Sequence, residues 1–155
     1  MIKRYISNRA LIKEYNSLQN DLSETSEQSH YSLFKAKNKH LFMIEDRTLD
    51  DKSGMYRVKM TGAYVGTLKW FVSCTDEHTY LELCDIVLGP KYRNIGIGTY
   101  LIQQLEITAS KHNCEYITGF LSGVDEATER DTSLRNNFYT RNGYVISNSK
   151  VTKHL

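Results

Sequence analysis

The sequence has little of what marks secreted, metal-binding or membrane-spanning proteins. Its 155 residues contain three cysteines, and Cys74, Cys84 and Cys114 lie far apart. An odd number of widely spaced cysteines is not typical of a disulfide framework or a zinc site, so we expect free thiols, no metal and a reducing, cytoplasmic location. No apolar run approaches the about 18 residues of a membrane span. The first residues, MIKRYIS, lack the apolar core of a signal peptide.

The chain also lacks a strong excess of charge of either sign. The formal net charge is +2, and 40% of the residues are hydrophobic and 25% are charged. A charge this small gives no argument for a nucleic-acid partner or an anionic membrane, and the composition is ordinary for a globular protein. The sequence contains no internal repeat or low-complexity linker and has the length of about one domain, so we expect a single domain over residues 1–155.

The secondary-structure signals are weak in the first third of the chain. Apolar residues at helical spacing predict one early helix (Leu11, Tyr15, Leu18 and Leu22). The polar run at residues 23–29 ends that pattern. The predicted elements are a strand at 2–6, helices at 9–22 and 31–40, and an exposed loop at 45–54.

From residue 55 onward, β-forming residues separated by turns predict an antiparallel meander with strands at 55–60, 64–73 and 79–88. The elements expected to follow are a helix at 98–112, a strand at 115–121, a helix at 131–141 and strands at 144–148 and 151–155. The strand–helix–strand unit around residues 98–112 should place its two strands side by side and parallel. The predicted fold class is therefore a mixed α/β (α+β) sheet, mostly antiparallel with a central parallel strand pair, and with helices on both faces.

The stretch KYRNIGIGTYLI, residues 91–102, is the most informative segment for function. It follows the single proline, Pro90, and places Gly96 and Gly98 at the start of a predicted helix, where glycine costs stability. The first N–H groups of a helix lack intrahelical partners, and the helix dipole favours an anion there. Since glycine lets the backbone approach a ligand closely, the stretch predicts a phosphate-binding loop.

Three kinds of phosphate motif compete for this loop. A dinucleotide site needs G-x-G-x-x-G, but Leu101 takes the position of the third glycine. A phosphate loop of the NTPase type needs G-x-x-x-x-G-K-[ST], which the sequence lacks. The third motif is R-x-x-G-x-G, present as RNIGIG at residues 93–98. It resembles the pyrophosphate-binding motif of the GNAT superfamily of N-acetyltransferases.

Other segments resemble the same family. LGPKYR at residues 88–93 resembles its hydrophobic-x-Pro-x-x-Arg approach to the loop, FYTRNGY at 138–144 resembles its Tyr-x-x-x-Gly-aromatic segment, and VTKHL resembles its last strand. The resemblance covers residues 55–155 well and the first fifty residues only by the order of elements. It implies a GNAT-like fold, acetyl-CoA (coenzyme A) as the cofactor, and transfer of the acetyl group to a primary amine by direct attack on the thioester.

The resemblance also implies roles for individual residues. Glu82 is the expected catalytic base, with Asp85 as the alternative; three positions apart, they point to opposite faces of a regular strand. Tyr139 is expected to be the acid toward the leaving sulfur or its partner, while Phe138 beside it is the better core candidate. The residues expected to bind the cofactor are Ile86, Val87, Leu88, Arg93, Asn94, Ile95, Gly96, Ile97, Gly98, Thr99 and Tyr139.

The sequence does not identify the amine acceptor. The first two helices, their loop and the segment 123–131 would select it, and their carboxylates suit a cationic small-molecule or peptide amine but are equally typical of solvated surfaces. These acidic residues are Glu14, Asp21, Glu24, Glu27, Asp125, Glu126, Glu129 and Asp131. A non-catalytic acyl-CoA sensor and an interaction domain on the same fold are alternative functions. The family commonly forms homodimers, which is an expectation for this chain too.

Overall fold

The computed structural model describes residues 2–22, 29–121 and 129–155. Within these ranges the chain forms three α-helices and eight strands. In order they are α1 (Ile2–Leu22), β1 (Ser29–Lys35), β2 (Leu41–Asp50), β3 (Ser53–Met60), β4 (Ala63–Cys74), β5 (Thr79–Leu88), α2 (Ile97–Lys111), β6 (Tyr116–Phe120), α3 (Glu129–Arg141), β7 (Val145–Ser147) and β8 (Lys150–His154). A short 3₁₀ helix, Pro90–Tyr92, lies between β5 and α2.

The strands form a mixed sheet in the order β1-β2-β3-β4-β5-β6-β8-β7. The pairs β1–β2, β2–β3, β6–β8 and β7–β8 are antiparallel, whereas β5 and β6 are parallel. The predicted fold class is confirmed, and so is the parallel pair that the strand–helix–strand unit predicted. The placement of helices on both faces stays a prediction.

The chain divides into two compact units. The first unit comprises Met1–Lys69 and Ile86–Gly98, and the second comprises Trp70–Asp85 and Thr99–Leu155. In the first unit, α1 packs against β1 and β2, and its Leu11 is fully buried. Four successive residues of β2, at positions 42–45, are buried as well. Since neighbouring residues of a strand point to opposite faces, both faces of β2 are covered at these positions.

Two predictions for the first unit are wrong because strand pairing overrides weak local preferences. Residues 31–40 form most of β1 and a turn rather than a helix, because β1 pairs with β2 from Ser29–Arg47 to Lys35–Leu41. Residues 45–54 form the end of β2, a turn at residues 51–52 and the start of β3 rather than one loop, although several of them are exposed. Their polar sequence is misleading because Glu45 is buried, with Arg57 Nη2 at 2.6 Å from its Oε2.

The predicted strand at residues 2–6 is also wrong, because α1 begins at Ile2 and continues without a break to Leu22. The side chain of Ile6 is 61% exposed. The apolar residues near the start of the chain therefore do not mark a buried strand. The intrinsic preferences of these residues distinguish only weakly between helix and strand.

The second unit agrees closely with the sequence prediction. The apolar stripe of α2 is fully buried (Leu101, Ile102, Leu105 and Ala109). All strands and helices predicted from residue 55 onward are confirmed within two residues of their ends. Asn148 and Ser149, the predicted last turn, both have left-handed backbone angles, φ 49° and 58°, as a two-residue hairpin turn between β7 and β8 requires. The predictions for residues 23–28 and 123–128 lie outside the described residues.

Candidate active site

The predicted phosphate loop lies between the end of β5 and the start of α2, in the first unit. After Leu88 the chain makes a 3₁₀ turn, in which the Tyr92 N–H donates to the Gly89 oxygen at 2.8 Å. Asn94 and Gly96 then take left-handed backbone angles, φ 61° and 97°. A left-handed φ strains residues that carry a Cβ, so this turn explains the glycine at position 96. The helix α2 begins one residue later.

Contacts within the first unit hold this loop in shape. The Lys37 N–H donates to the Ile95 oxygen at 3.0 Å. The rings of Tyr92 and Phe42 pack edge to face with their centroids 6.0 Å apart. Because the first N–H groups of α2 have no intrahelical partners, a fixed loop in front of them presents hydrogen-bond donors and the positive end of a helix dipole to an anion.

β5 extends well beyond its pairing with β6. The parallel register joins Tyr80, Leu81 and Glu82 to residues 116–118. β5 continues for six residues after Glu82, to Leu88. The backbone groups of these later residues are not used by the parallel pairing. Backbone groups of this kind can exchange hydrogen bonds with an extended ligand that carries amide groups.

The end of β5 lies very close to β4. The Gly89 N–H donates to the Val65 oxygen at 3.1 Å. A Cβ on Gly66 would lie 2.7 Å from the Val87 oxygen and 2.4 Å from Leu88 Cδ2. Only glycine permits so close an approach, so the last residues of β5 are held firmly on the β4 side.

Arg93, the first residue of the R-x-x-G-x-G motif, is exposed and folds back on the chain. Its Nε donates to the Leu88 oxygen at 3.0 Å. The side chain therefore closes the turn between β5 and the loop, and the charged guanidinium group remains exposed to solvent. A phosphate contact from Arg93 remains a prediction.

The segment Tyr-x-x-x-Gly-aromatic forms the end of α3, in the second unit. The N–H of Tyr144 donates to the Tyr139 oxygen at 3.0 Å, and the N–H of Gly143 donates to the Thr140 oxygen at 3.0 Å. Gly143 has φ 84°. These two bonds and the left-handed residue are a Schellman motif, which ends helices. The sequence pattern therefore has a structural cause besides any catalytic one.

Tyr139 is the buried aromatic of α3, with 6% of its surface exposed, whereas Phe138 is only half-buried. The expectation that Phe138 is the better core candidate is wrong, because the Schellman motif brings Tyr144 against Tyr139. Burial raises the pKa of Tyr139 to about 12; the Arg135 guanidinium lowers it and the Asp85 carboxylate raises it. Near neutral pH the hydroxyl is protonated and can donate a hydrogen bond.

The two candidate bases on β5 have different surroundings in the second unit. Glu82 is half-buried between the buried Leu81 and Leu83, so it points to the other face of the strand. Its Oε1 accepts a hydrogen bond from Ser73 Oγ at 3.1 Å. Asp85 is exposed, and its charge acts on the pKa of Tyr139. The carboxylates are therefore not equivalent, because the charge of Asp85, and not that of Glu82, raises the pKa of Tyr139.

Three residues at these sites were missed in the sequence. Gly66 had a readable signal, because a glycine inside a strand often marks a close backbone approach. Ser73 had no signal of its own, since its contact with Glu82 depends on how β4 and β5 align. Lys37 lies in a segment that the sequence predicted as helix, so its contact with the loop was hidden by that error.

Three further findings concern metal-ligating side chains, membrane-spanning helices and cysteines. Across residues 2–22, 29–121 and 129–155, no three His, Cys, Asp or Glu side chains cluster in a way that could hold a metal ion. Among the helices of the described ranges, none is long and apolar enough to cross a membrane. Cys74 and Cys84 are exposed, and Cys114 is buried.

A mixed sheet with one parallel strand pair, and a glycine loop at the start of a helix, is compatible with a cofactor-binding acetyltransferase. The sequence matches the Acetyltransferase (GNAT) family over residues 14–144. The chain belongs to this family, as its motifs predicted. Family membership supports acetyl-CoA, or coenzyme A, as the cofactor. No curated protein matches the chain at a significant level.

Several solved structures share the fold. The GNAT domain of PAT from S. lividans has a TM-score of 0.63 at 7% identity, covering 81% of this chain and 97% of that one. Nourseothricin acetyltransferase has a TM-score of 0.55 at 14% identity, covering 83% and 85%. The NatC complex bound to Gag peptide and CoA has a TM-score of 0.52 at 15% identity, covering 65% and 70%. At such identities the likeness concerns the fold alone.

Proposed function

We propose that this chain is an N-acetyltransferase that moves the acetyl group of acetyl-CoA to a primary amine. The observation that carries the proposal is the glycine loop. Its left-handed turn at Gly96 directly precedes a helix of 15 residues and follows a strand that continues six residues beyond its parallel pairing. In this proposal the loop from Arg93 to Gly98, with Thr99, holds the diphosphate, and the backbone of residues 86–88 binds the pantetheine amides.

The first chemical task is to remove a proton from the acceptor. A lysine-like amine has a pKa near 10.4, so making it neutral at pH 7 costs about 4.6 kcal/mol. We assign Glu82 as the base, acting directly or through a water molecule. Its hydrogen bond from Ser73 supports this role, because it holds the carboxylate in one orientation on β5. Asp85 is the alternative base.

The second task is to stabilise the tetrahedral oxyanion and the leaving thiolate. A backbone N–H near Val87 or Leu88 is the proposed donor to the oxyanion. We assign Tyr139 as the partner of the sulfur. With a Tyr139 pKa of about 12 and a thiol pKa near 8.5, complete proton transfer would be uphill by about 5 kcal/mol. Tyr139 therefore acts by donating a hydrogen bond to the thiolate rather than by giving up its proton.

The proposed acceptor is a small-molecule or peptide amine. The names of two proteins with this fold support both sizes of acceptor, since one is nourseothricin acetyltransferase and the other is a complex bound to a Gag peptide. We further propose that residues 1–155 act as one catalytic domain, in the cytoplasm, without a nucleic-acid or membrane partner. Homodimer formation stays a prediction.

Turnover with a panel of amines tests the proposal. The purified protein is mixed with acetyl-CoA and with polyamines, aminoglycosides, and lysine-bearing or free N-terminal peptides, and thiol release is followed. We expect release above the background hydrolysis for at least one acceptor, and release that is lost in Glu82→Gln. Binding of acetyl-CoA without turnover for any amine would instead support the alternative, a non-catalytic acyl-CoA sensor.

A further inference from the structure

The turn between β1 and β2, in the first unit, is held together by hydrogen bonds. The Ala36 N–H donates to the His40 oxygen at 2.9 Å, and the Lys39 N–H donates to the Ala36 oxygen at 2.8 Å. Asn8 of α1 makes two hydrogen bonds to this turn. Its Nδ2 donates to the Lys39 oxygen at 3.1 Å, and its Oδ1 accepts from the Leu41 N–H at 2.9 Å. Two side-chain hydrogen bonds therefore tie the turn to α1.

The same turn lies against the glycine loop. The Lys37 N–H donates to the Ile95 oxygen at 3.0 Å. The Lys37 side chain runs along the loop, because its Cγ and Cε each lie 3.9 Å from the position that a Cβ on Gly96 would occupy. Lys37 is exposed, and among the described residues no carboxylate forms an ion pair with its ammonium. The stem of a cationic side chain therefore lies beside the left-handed residue of the motif.

The local charge is far more positive than the net charge of the chain. Residues 35–41, KAKNKHL, carry three lysines, and residues 86–98, IVLGPKYRNIGIG, carry one lysine and one arginine. Neither segment contains Asp or Glu. Together the two segments carry five cationic side chains, three in the first and two in the second, and no carboxylate side chain. The positive end of the α2 dipole adds to this field. A ligand with several phosphate charges is the chemistry that matches it.

We propose that Lys37 is a cofactor-binding residue whose ammonium pairs with the diphosphate of coenzyme A. The β1–β2 turn then forms a side-chain half of the phosphate site, and the backbone of the glycine loop forms the other half. This inference rests on the proposed function. The diphosphate is assigned rather than the 3′-phosphate because the Lys37 stem lies beside Gly96, in the middle of the motif, whose backbone would hold the diphosphate.

Calorimetry with Lys37→Met tests this assignment, because methionine keeps an unbranched apolar stem and removes the charge. The matched control is Lys39→Met, an equal charge change two residues further along the same turn. We expect acetyl-CoA to bind about tenfold more weakly to Lys37→Met, as the loss of one partly exposed charge-assisted contact predicts, and the control to bind within about twofold of the wild type. The affinity of Lys37→Met should also depend less on salt.

Dephospho-CoA separates the two phosphate groups. If Lys37 pairs with the diphosphate, the tenfold loss persists with this probe. Loss confined to ligands with the 3′-phosphate would overturn the assignment, and so would equal losses in Lys37→Met and Lys39→Met, which indicate a general field rather than a contact. Wild-type binding with no effect of Lys37→Met defeats this inference alone, whereas absence of wild-type binding defeats the proposed function itself.

Discussion

The main-chain N–H of Tyr144 donates to the carbonyl oxygen of Tyr139 at 3.0 Å, and the two rings pack edge to face with centroids 5.8 Å apart. The pair joins the last turn of α3 to the start of β7. Tyr139 is thus fixed by both its backbone and its ring. Since a group that stabilises a leaving atom must be held in place before the reaction, this fixation suits the role that we assign to its hydroxyl.

Tyr139→Phe separates the structural from the chemical role of this residue. Phenylalanine keeps the ring contact with Tyr144 and removes only the hydroxyl. We expect kcat to fall about 100-fold with KM little changed, because the lost hydrogen bond acts on the leaving thiolate. Urea unfolding should show the same stability as the wild type within about 1 kcal/mol. An unchanged kcat would remove Tyr139 from the mechanism.

The raised pKa of Tyr139 predicts a loss of stability in alkali. The pKa is about 12 in the folded chain and about 10 in the unfolded chain. A raised pKa leaves stability unaffected below pH 10, and stability falls as the pH rises from 10 toward 12, by up to about 3 kcal/mol. Urea unfolding of the wild type and Tyr139→Phe across this range isolates the residue's share, since the other groups are common to both. Parallel curves for the two proteins would contradict the buried, protonated hydroxyl.

Glu82→Gln should show the signature of a lost base. We expect kcat/KM to fall about 100-fold at pH 7, because the ammonium form of the acceptor then has no carboxylate to take its proton. The deficit should shrink as the pH approaches the pKa of the amine, where half of the acceptor is already neutral. Asp85→Asn is the matched variant on the same strand and should retain most of the activity. A larger loss in Asp85→Asn would exchange the two roles.

The reactivity of the exposed Cys84 thiol tests whether a ligand lies along β5. Cys84 lies on β5 between Glu82 and Ile86, and Cys74 at the end of β4 is an exposed thiol in the same protein. If the cofactor lies along β5, acetyl-CoA should slow alkylation of Cys84 by iodoacetamide at least about tenfold and leave Cys74 unchanged, as the thiolate must be accessible to react. Peptide mass spectrometry gives both rates. Equal rates for Cys84 with and without acetyl-CoA would argue against binding along β5.

The fold could be predicted where local signals and packing agree. The stripe of α2 recurs at helical spacing and is fully buried, so the helix was correct almost to the residue. The prediction of a loop at residues 45–54 was wrong because those residues pair with a neighbouring strand, and Glu45 among them is buried in an ion pair: Arg57 Nε lies 2.7 Å from Glu45 Oε2. A carboxylate paired across strands looks in sequence like any solvated one.

In the candidate site, too, residues with a local sequence signal could be predicted, and residues placed by long-range contacts could not. The loop could be found from a local motif, because the left-handed turn at Gly96 needs glycine at that position. Lys37 could not be found, because it lies in the turn of the β1–β2 hairpin, which the sequence did not reveal. Its hydrogen bond to Ile95 depends on that turn. Glu82 and Asp85 could be separated by strand parity, but only the structure shows which of them acts on Tyr139.

Calorimetric titration of acetyl-CoA into the wild type, Gly96→Ala and Gly62→Ala tests the account most directly. Both glycines have left-handed φ angles, 97° and 77°, so alanine introduces similar backbone strain of about 1–2 kcal/mol at either position. Gly62 lies in the β3–β4 turn, and a Cβ there would meet nothing within 4 Å. We predict wild-type binding that is weakened at least about tenfold by Gly96→Ala and is unchanged by Gly62→Ala. No binding by the wild type, or equal binding by all three proteins, would contradict a cofactor site at the glycine loop.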